Sequence, residues 1–250
     1  MANANMQRGH INWIEDMSMP QAILDVDTSF LCGRVIARVN DSSTEITTLG
    51  INGGASRLTI DSAEDNTGQF YGPLAFEPDE TRTAGMQVRF RITDVSVSSV
   101  FVGWTDQNSA SEVAIEDEDG TLAANANDCC GLLLEGEQDG TWQTVGVQNA
   151  GTATQAVSTN IDDLTDSEFT SVRVDLNPAD SGTMKAIVDG VELITANTTG
   201  TRQSGSNVTT SYLRSSIVFA PTIGADARLA GYNLDVAEFG WWGNVGSTLD

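Results

Sequence analysis

Lysine occurs once in this sequence, at Lys185, and the 12 basic residues stand against 35 acidic ones, for a formal net charge of −23. A phosphate backbone or an anionic bilayer must be met by clustered Lys and Arg, so nucleic-acid and membrane partners are not expected. Histidine also occurs once, at His10, which leaves a Ser-His-Asp triad or a histidine-rich zinc site almost no material. Cysteine is limited to Cys32 and the adjacent pair Cys129 and Cys130. An odd count, with neighbours that bridge poorly, excludes a disulfide framework and implies small buried thiols in a protein assembled in a reducing compartment. No CxxC, GxGxxG or P-loop pattern is present, so zinc and nucleotide chemistry are unsupported. The N-terminal MANANMQRGHINWIEDMSMP lacks the continuous apolar stretch of a signal peptide, and no run has the length of a membrane-spanning helix. The expectation is a soluble protein made in the cytosol. Asn-x-Ser/Thr triplets at Asn40, Asn197 and Asn207 matter only in a secretory pathway.

What is plentiful is turn chemistry. The sequence holds 24 glycines against 5 prolines, and Ser, Thr, Asn and Asp crowd the segments between short apolar runs. This is the punctuation of many short strands, and all-β sandwiches of 250 residues fold as one unit. Met86, Val88, Phe90 and Ile92 alternate with Gln87, Arg89 and Arg91, the pattern of a half-buried strand. Ser99 to Thr105 is apolar on both faces, as an interior strand is, with Gly103 allowing close packing beside Trp104. Gly131 to Glu135 and Thr141 to Asn149 flank a Gly-rich, acidic loop of hairpin length.

From Phe169 to Thr195 three strands follow one another, and Asp189-Gly190 joins the last two as a type I′ turn, in which both central residues need positive φ. Ser216 to Ile223 and Gly231 to Trp242 supply closing strands, with a bulge near Ala237 and Glu238 where the apolar face changes. In the first third, Arg34 to Val39, Glu45 to Ile51 and Arg57 to Asp61 read as strands. Residues 1–30 lack a sustained period and read as an irregular arm, with a short helix capped by Asn12 over Asn12 to Met19. The rest, residues 31–250, forms the sandwich, and there is no internal repeat or linker.

The order from Gly85 onward is a long alternating strand, FVGWTD, the LLLEGEQDG hairpin, the VRVDLNPADSGTMKAIVDGVEL meander and a last strand into YNLDVAEFGWW. It resembles the concanavalin A-like jelly rolls over residues 84–243 and, more narrowly, the jelly-roll virion proteins of marine tailed bacteriophages. That resemblance implies a capsid decoration, cement or fibre protein, assembled in a host cytoplasm and located in the virion. It would act through protein–protein contacts with a major capsid protein or neighbouring subunits and form a homo-oligomer. The alternative is a lectin-like module that binds glycans, free or on a phage particle.

Neither reading implies catalysis. Some enzymes of this fold hydrolyse glycans with paired carboxylates about 5 Å apart. The nearest spacing here, Glu135, Glu137 and Asp139, lies in a turn, and the Glu-x-Asp-x-x-Glu arrangement is missing. The run Glu116 to Gly120 offers Asp117 and Asp119 as calcium candidates, but it lacks the bidentate Glu that ends a twelve-residue loop, and a solvated hairpin tip is favoured. Trp104 and Trp142 fall within apolar strands and read as core. Trp241 and Trp242 must face opposite sides of a strand, so one is a candidate protein contact, as are Trp13 and Ile14 in the arm.

Overall fold

The computed structural model describes residues 10–17, 30–32, 35–40, 44–49, 54–62, 66–76, 84–107, 112–118, 121–136, 141–147, 150, 154–157, 161, 163–177, 183–193, 208–209, 218–227 and 230–244. Two antiparallel sheets face each other across a shared core. The first runs from β16 (Val191–Glu192) through β15 (Thr183–Val188), β14 (Thr170–Asn177), β7 (Ala84–Ile92), β19 (Tyr232–Asn244) and β5 (Ala55–Ile60) to β4 (Glu45–Leu49). To it β1 (His10–Asp16) adds beside β19, and β17 (Val208–Thr209) beside β15. The second runs from β13 (Thr154–Val157) through β12 (Thr141–Val147), β11 (Cys129–Glu135), β8 (Ser98–Thr105), β18 (Ala220–Ala227) and β6 (Thr67–Tyr71) to β3 (Val35–Val39) and β2 (Phe30–Cys32). A hairpin of β9 (Ile115–Glu118) and β10 (Thr121–Ala124) is separate from both sheets. The sandwich expected from period-two patterning is the observed architecture.

Alternation decides which side chains meet. Met86, Val88, Phe90 and Ile92 point inward from β7, beside Val172, Val174 and Leu176 of β14 and Met184, Ala186 and Val188 of β15. From the second sheet come Val100, Val102, Trp104, Leu132, Leu134 and Trp142, so both expected core tryptophans are fully buried. Strand β8 is buried along its whole length because its other face is covered too. Phe101, Cys129, Leu133, Val145 and Val147 pack against Ala114, Ile115 and Ala126 of the hairpin region, forming a second apolar cluster. That is why SVFVGWT and GLLLE carry apolar residues on both faces. The two thiols divide between the clusters, and burial pushes the Cys130 thiol up to about 12.

Asp189 and Gly190 both adopt positive φ, 47° and 82°, as the expected type I′ turn requires. The register of β19 shifts between Val236 and Glu238, placing the bulge where the apolar pattern changes face.

The first residues differ from the sequence reading. His10–Asp16 is a strand paired along β19, from His10 opposite Asn244 to Asp16 opposite Glu238, in place of a helix over Asn12 to Met19 and within the segment read as an irregular arm. The bulge and the length of β19 leave its second half without β5 as a partner, and β1 fills that edge. Met17, directly after it, is fully buried, and its carbonyl accepts a hydrogen bond from Ser56 Oγ at 3.0 Å.

The outer face of the first sheet holds charge in compensated groups. Asp235, fully buried, accepts from Arg57 Nε and Nη2 at 2.7 and 2.9 Å and from Arg91 Nε at 2.8 Å. Arg173 pairs with Asp175 at 2.6 Å and stands 4.8 Å over the ring of Trp242. Three fixed donors on one carboxylate make the clamp a rigid feature of the face.

Candidate functional site

Loops joining strands gather at the ends of a sandwich, where they can vary without disturbing the core. Three connections meet at one end. Strand β7 passes into β8 through Asp94 and a 3₁₀ turn, Val95–Val97. Asp94 Oδ1 accepts from Ser96 N at 3.1 Å and from Ser96 Oγ at 2.7 Å, the local bonding that makes Asp a good starter for such a turn. Val95 points inward, and its carbonyl accepts from Ser98 Oγ at 2.9 Å.

Strand β11 ends at Gly136, whose Cα lies against that turn. A Cβ there would fall on the backbone of Val95 and Ser96. Gly136→Ala is therefore expected to displace the turn and lower stability by about 1–3 kcal/mol, read as a lower urea midpoint.

The third connection, residues 163–169, leads into β14. Val95 N donates to Asp166 Oδ1 at 2.8 Å, and Thr141 Oγ1 donates to Asp163 Oδ1 at 3.4 Å. Ser167, held at φ 62°, donates its N–H to the Ile92 carbonyl at 2.7 Å. The ring of Phe169 lies beneath Arg89 and Arg91, 4.5 and 4.9 Å from their guanidinium carbons. The connection is thus anchored along its length, although Asp163, Thr165, Asp166 and Glu168 are exposed.

Between these segments is an open groove of about 680 Å³, walled by Val95, Ser96, Gly136 and the run Asp163 to Asp166. A cavity of about 240 Å³ shares Asp163, Leu164 and Thr165 with it.

At the groove's end of the second sheet, Glu135, Ser99 and Asp226 sit opposite one another on β11, β8 and β18, all buried. Ser99 Oγ donates to Glu135 Oε1. Tyr232 reaches across from the first sheet, and its hydroxyl contacts the carbonyls of Ser99 and Asp226 at 2.7 and 2.8 Å. Burial, reinforced by the Asp226 charge, pushes the Tyr232 phenol well above its ordinary value. This polar layer supports the end of the sandwich on which the groove is built. Glu135 is 1% exposed and engaged by Ser99, which withholds it from a substrate, while Glu137 and Asp139 lie outside the described residues.

No protein-family model matches the chain. No curated protein matches it by sequence either. Solved structures do. Peanut lectin, in complex with a nine-residue peptide, aligns over 95% of this chain and 99% of its own at 9% identity and a TM-score of 0.58. The fold is a lectin-type sandwich. The carbohydrate recognition domain of Emp47p aligns over 90% of this chain and 95% of its own, at 12% identity and a TM-score of 0.51. The exoplasmic/lumenal domain of VIP36, with Ca²⁺ and Man3GlcNAc bound, aligns over 88% of this chain and 89% of its own, at 12% identity and a TM-score of 0.50.

The candidates raised by the sequence distribute unevenly over this lectin-type sandwich. Trp13 and Ile14 pair in the backbone with Trp241 and Gly240, so the four proposed contact residues share one strand pair. Trp241 is core, packed edge-on to Phe239 at 5.2 Å, and Trp242 is the half-buried outer member. Asp117 lies on β9, and Asp119 lies outside the described residues.

Among the described residues, no three His, Cys, Asp or Glu side chains gather to hold an ion. In the groove, Asp166 accepts a backbone N–H and Asp163 accepts a hydroxyl donor. Two carboxylates are fewer than the roughly 6–8 oxygen ligands a calcium ion takes, so these residues alone do not fit one.

Val95, Ser96 and Asp163 to Asp166 were not singled out by sequence. The signal for them is weak: an Asp-x-Ser turn start and an acidic stretch, IDDLTDSEF, separated by some 70 residues and united only by the fold.

Proposed function

We propose that the chain is a lectin-type carbohydrate-binding module whose loop-end groove receives a neutral glycan. The observation that carries this reading is the groove itself. Ser96 and Thr165 offer hydroxyls, Asp163 and Asp166 offer acceptors for sugar hydroxyls, and Leu164 offers apolar surface, all on segments pinned to the sandwich. A few convergent polar groups on a pre-formed concave wall are what small-ligand recognition needs. Likeness to the carbohydrate recognition domain of Emp47p and to the VIP36 domain that holds Man3GlcNAc supports the reading.

A glycan array with the whole chain, run with and without chelator, tests it. Saturable binding of at least one neutral glycan is expected, weakened about tenfold by Asp163→Ala through loss of a charged acceptor. No saturable binding in either arm would overturn it, and the chelator arm shows whether calcium takes part.

The virion-decoration reading rests on the sequence resemblance together with Trp242, half-buried beside Arg173 on the outer face of the first sheet. Stoichiometric co-purification with phage particles would support it, and a decoration protein can carry the glycan site as well.

A further inference from the structure

The 240 Å³ cavity beside the groove has a composition of its own. Its lining mixes the apolar side chains Ile161, Leu164, Phe169, Val188 and Val191 with polar ones, and Val191 is 49% exposed. Among them stand three carboxylates, Asp163, Glu168 and Asp189, and no lysine, arginine or histidine is among the described residues that line it. We propose that this cavity seats an amine-bearing sugar unit, so that the module prefers glycans with a free amino group and rejects uronic or sulfated ones. The inference rests on the glycan-binding reading above and names the class of sugar it favours.

Three features carry it. The cavity and the groove have Asp163, Leu164 and Thr165 in common, so the two are immediate neighbours. The size, below the roughly 300–1,000 Å³ typical of pockets for whole drug-sized ligands, suits a single unit of a chain. Two of the charges are tied to the fold: Asp189 accepts from Thr170 Oγ1 at 2.8 Å and from Ser171 N at 2.7 Å, and Asp163 accepts from Thr141 Oγ1 at 3.4 Å. A carboxylate so held keeps further lone pairs for a protonated amine.

Arg89 and Arg91 are stacked over Phe169, and Arg91 Nε donates to Asp235. The net charge of −23 works in the same direction, repelling acidic sugars from the whole surface.

The test is calorimetric titration of the whole chain at physiological salt with three tetrasaccharides: glucosamine, N-acetylglucosamine and galacturonic acid. Glucosamine is expected to bind about tenfold tighter than its N-acetylated form, and galacturonic acid not at all, the gain being that of one charge-assisted hydrogen bond. Glu168→Gln, at an exposed position, should collapse the ratio of amine to N-acetyl binding to about one. Equal binding of the two forms, or a ratio unmoved by Glu168→Gln, would overturn the inference while leaving the groove reading intact. No saturable binding of any neutral or amine-bearing glycan would overturn both. Spermine that binds as tightly as the amine sugar, with the same sensitivity to Glu168→Gln, would overturn it by showing attraction to charge alone.

Discussion

Trp104→Ala is expected to cost the sandwich about 3–5 kcal/mol, the range for deleting a large buried aromatic. The side chain is fully buried, and its ring meets Phe76 edge-on at 5.3 Å. Its indole Nε1 donates to the Val174 carbonyl at 3.2 Å, so a residue of the second sheet is hydrogen-bonded to a strand of the first. Alanine would leave both a cavity and a lost bond between the layers. Trp104→Phe keeps most of the ring and removes only the donor, so it should cost about 1–2 kcal/mol. Urea unfolding of the two variants separates the contributions, with lower midpoints and unchanged slopes. A loss below about 1 kcal/mol for the alanine variant would show that the layers are not joined as described.

Alkaline pH is expected to unfold the protein well before its arginines titrate. Burial raises the pKa of Tyr71, of Cys129 and of Tyr232, and takes Cys130 to about 12. All four groups are therefore held neutral in the fold. In the unfolded chain thiols ionise near about 8.5 and phenols near about 10. Above those values the unfolded state releases protons that the folded state retains, and stability falls as pH rises. The loss begins with the thiols above about pH 8.5 and steepens above about pH 10, on the order of 1 kcal/mol for each group and pH unit. Tyrosinate absorbance and far-ultraviolet circular dichroism, followed together, check this. Tyr71 and Tyr232 should ionise only as the sheet signal is lost. Their ionisation in a chain that keeps its sheet signal would contradict their burial.

The sandwich is legible in the sequence wherever one face is wet. Met86 to Ile92 and Val172 to Val188 alternate because core and solvent lie on opposite sides of their strands, and the Asp189-Gly190 turn fixes the register of Thr183–Val188 against Val191–Glu192. Around Trp104 the pattern becomes continuous, since a hairpin covers the outer face of that sheet, and the run still reads as a strand.

His10–Asp16 is not legible, because its place depends on a β19 long enough to need a partner beyond β5. Trp241 and Trp242 illustrate both limits. Their opposite facing follows from being neighbours in a strand, but which one is core depends on the bulge at Val236 and Glu238. The groove is the least legible feature. Its walls come from Val95, Gly136 and Asp163 to Asp166, which carry no shared motif and meet only because three connections close the same end of the sandwich.

The central claim is that this end of the molecule holds a glycan. Backbone amide shifts of the isotope-labelled chain, followed during titration with the strongest neutral glycan from the array, test it most directly. Saturable changes confined to Asp94 to Ser99, Glu135 to Thr141 and Ile161 to Thr170 are the predicted result. Saturable changes centred elsewhere, or none at all, would contradict it.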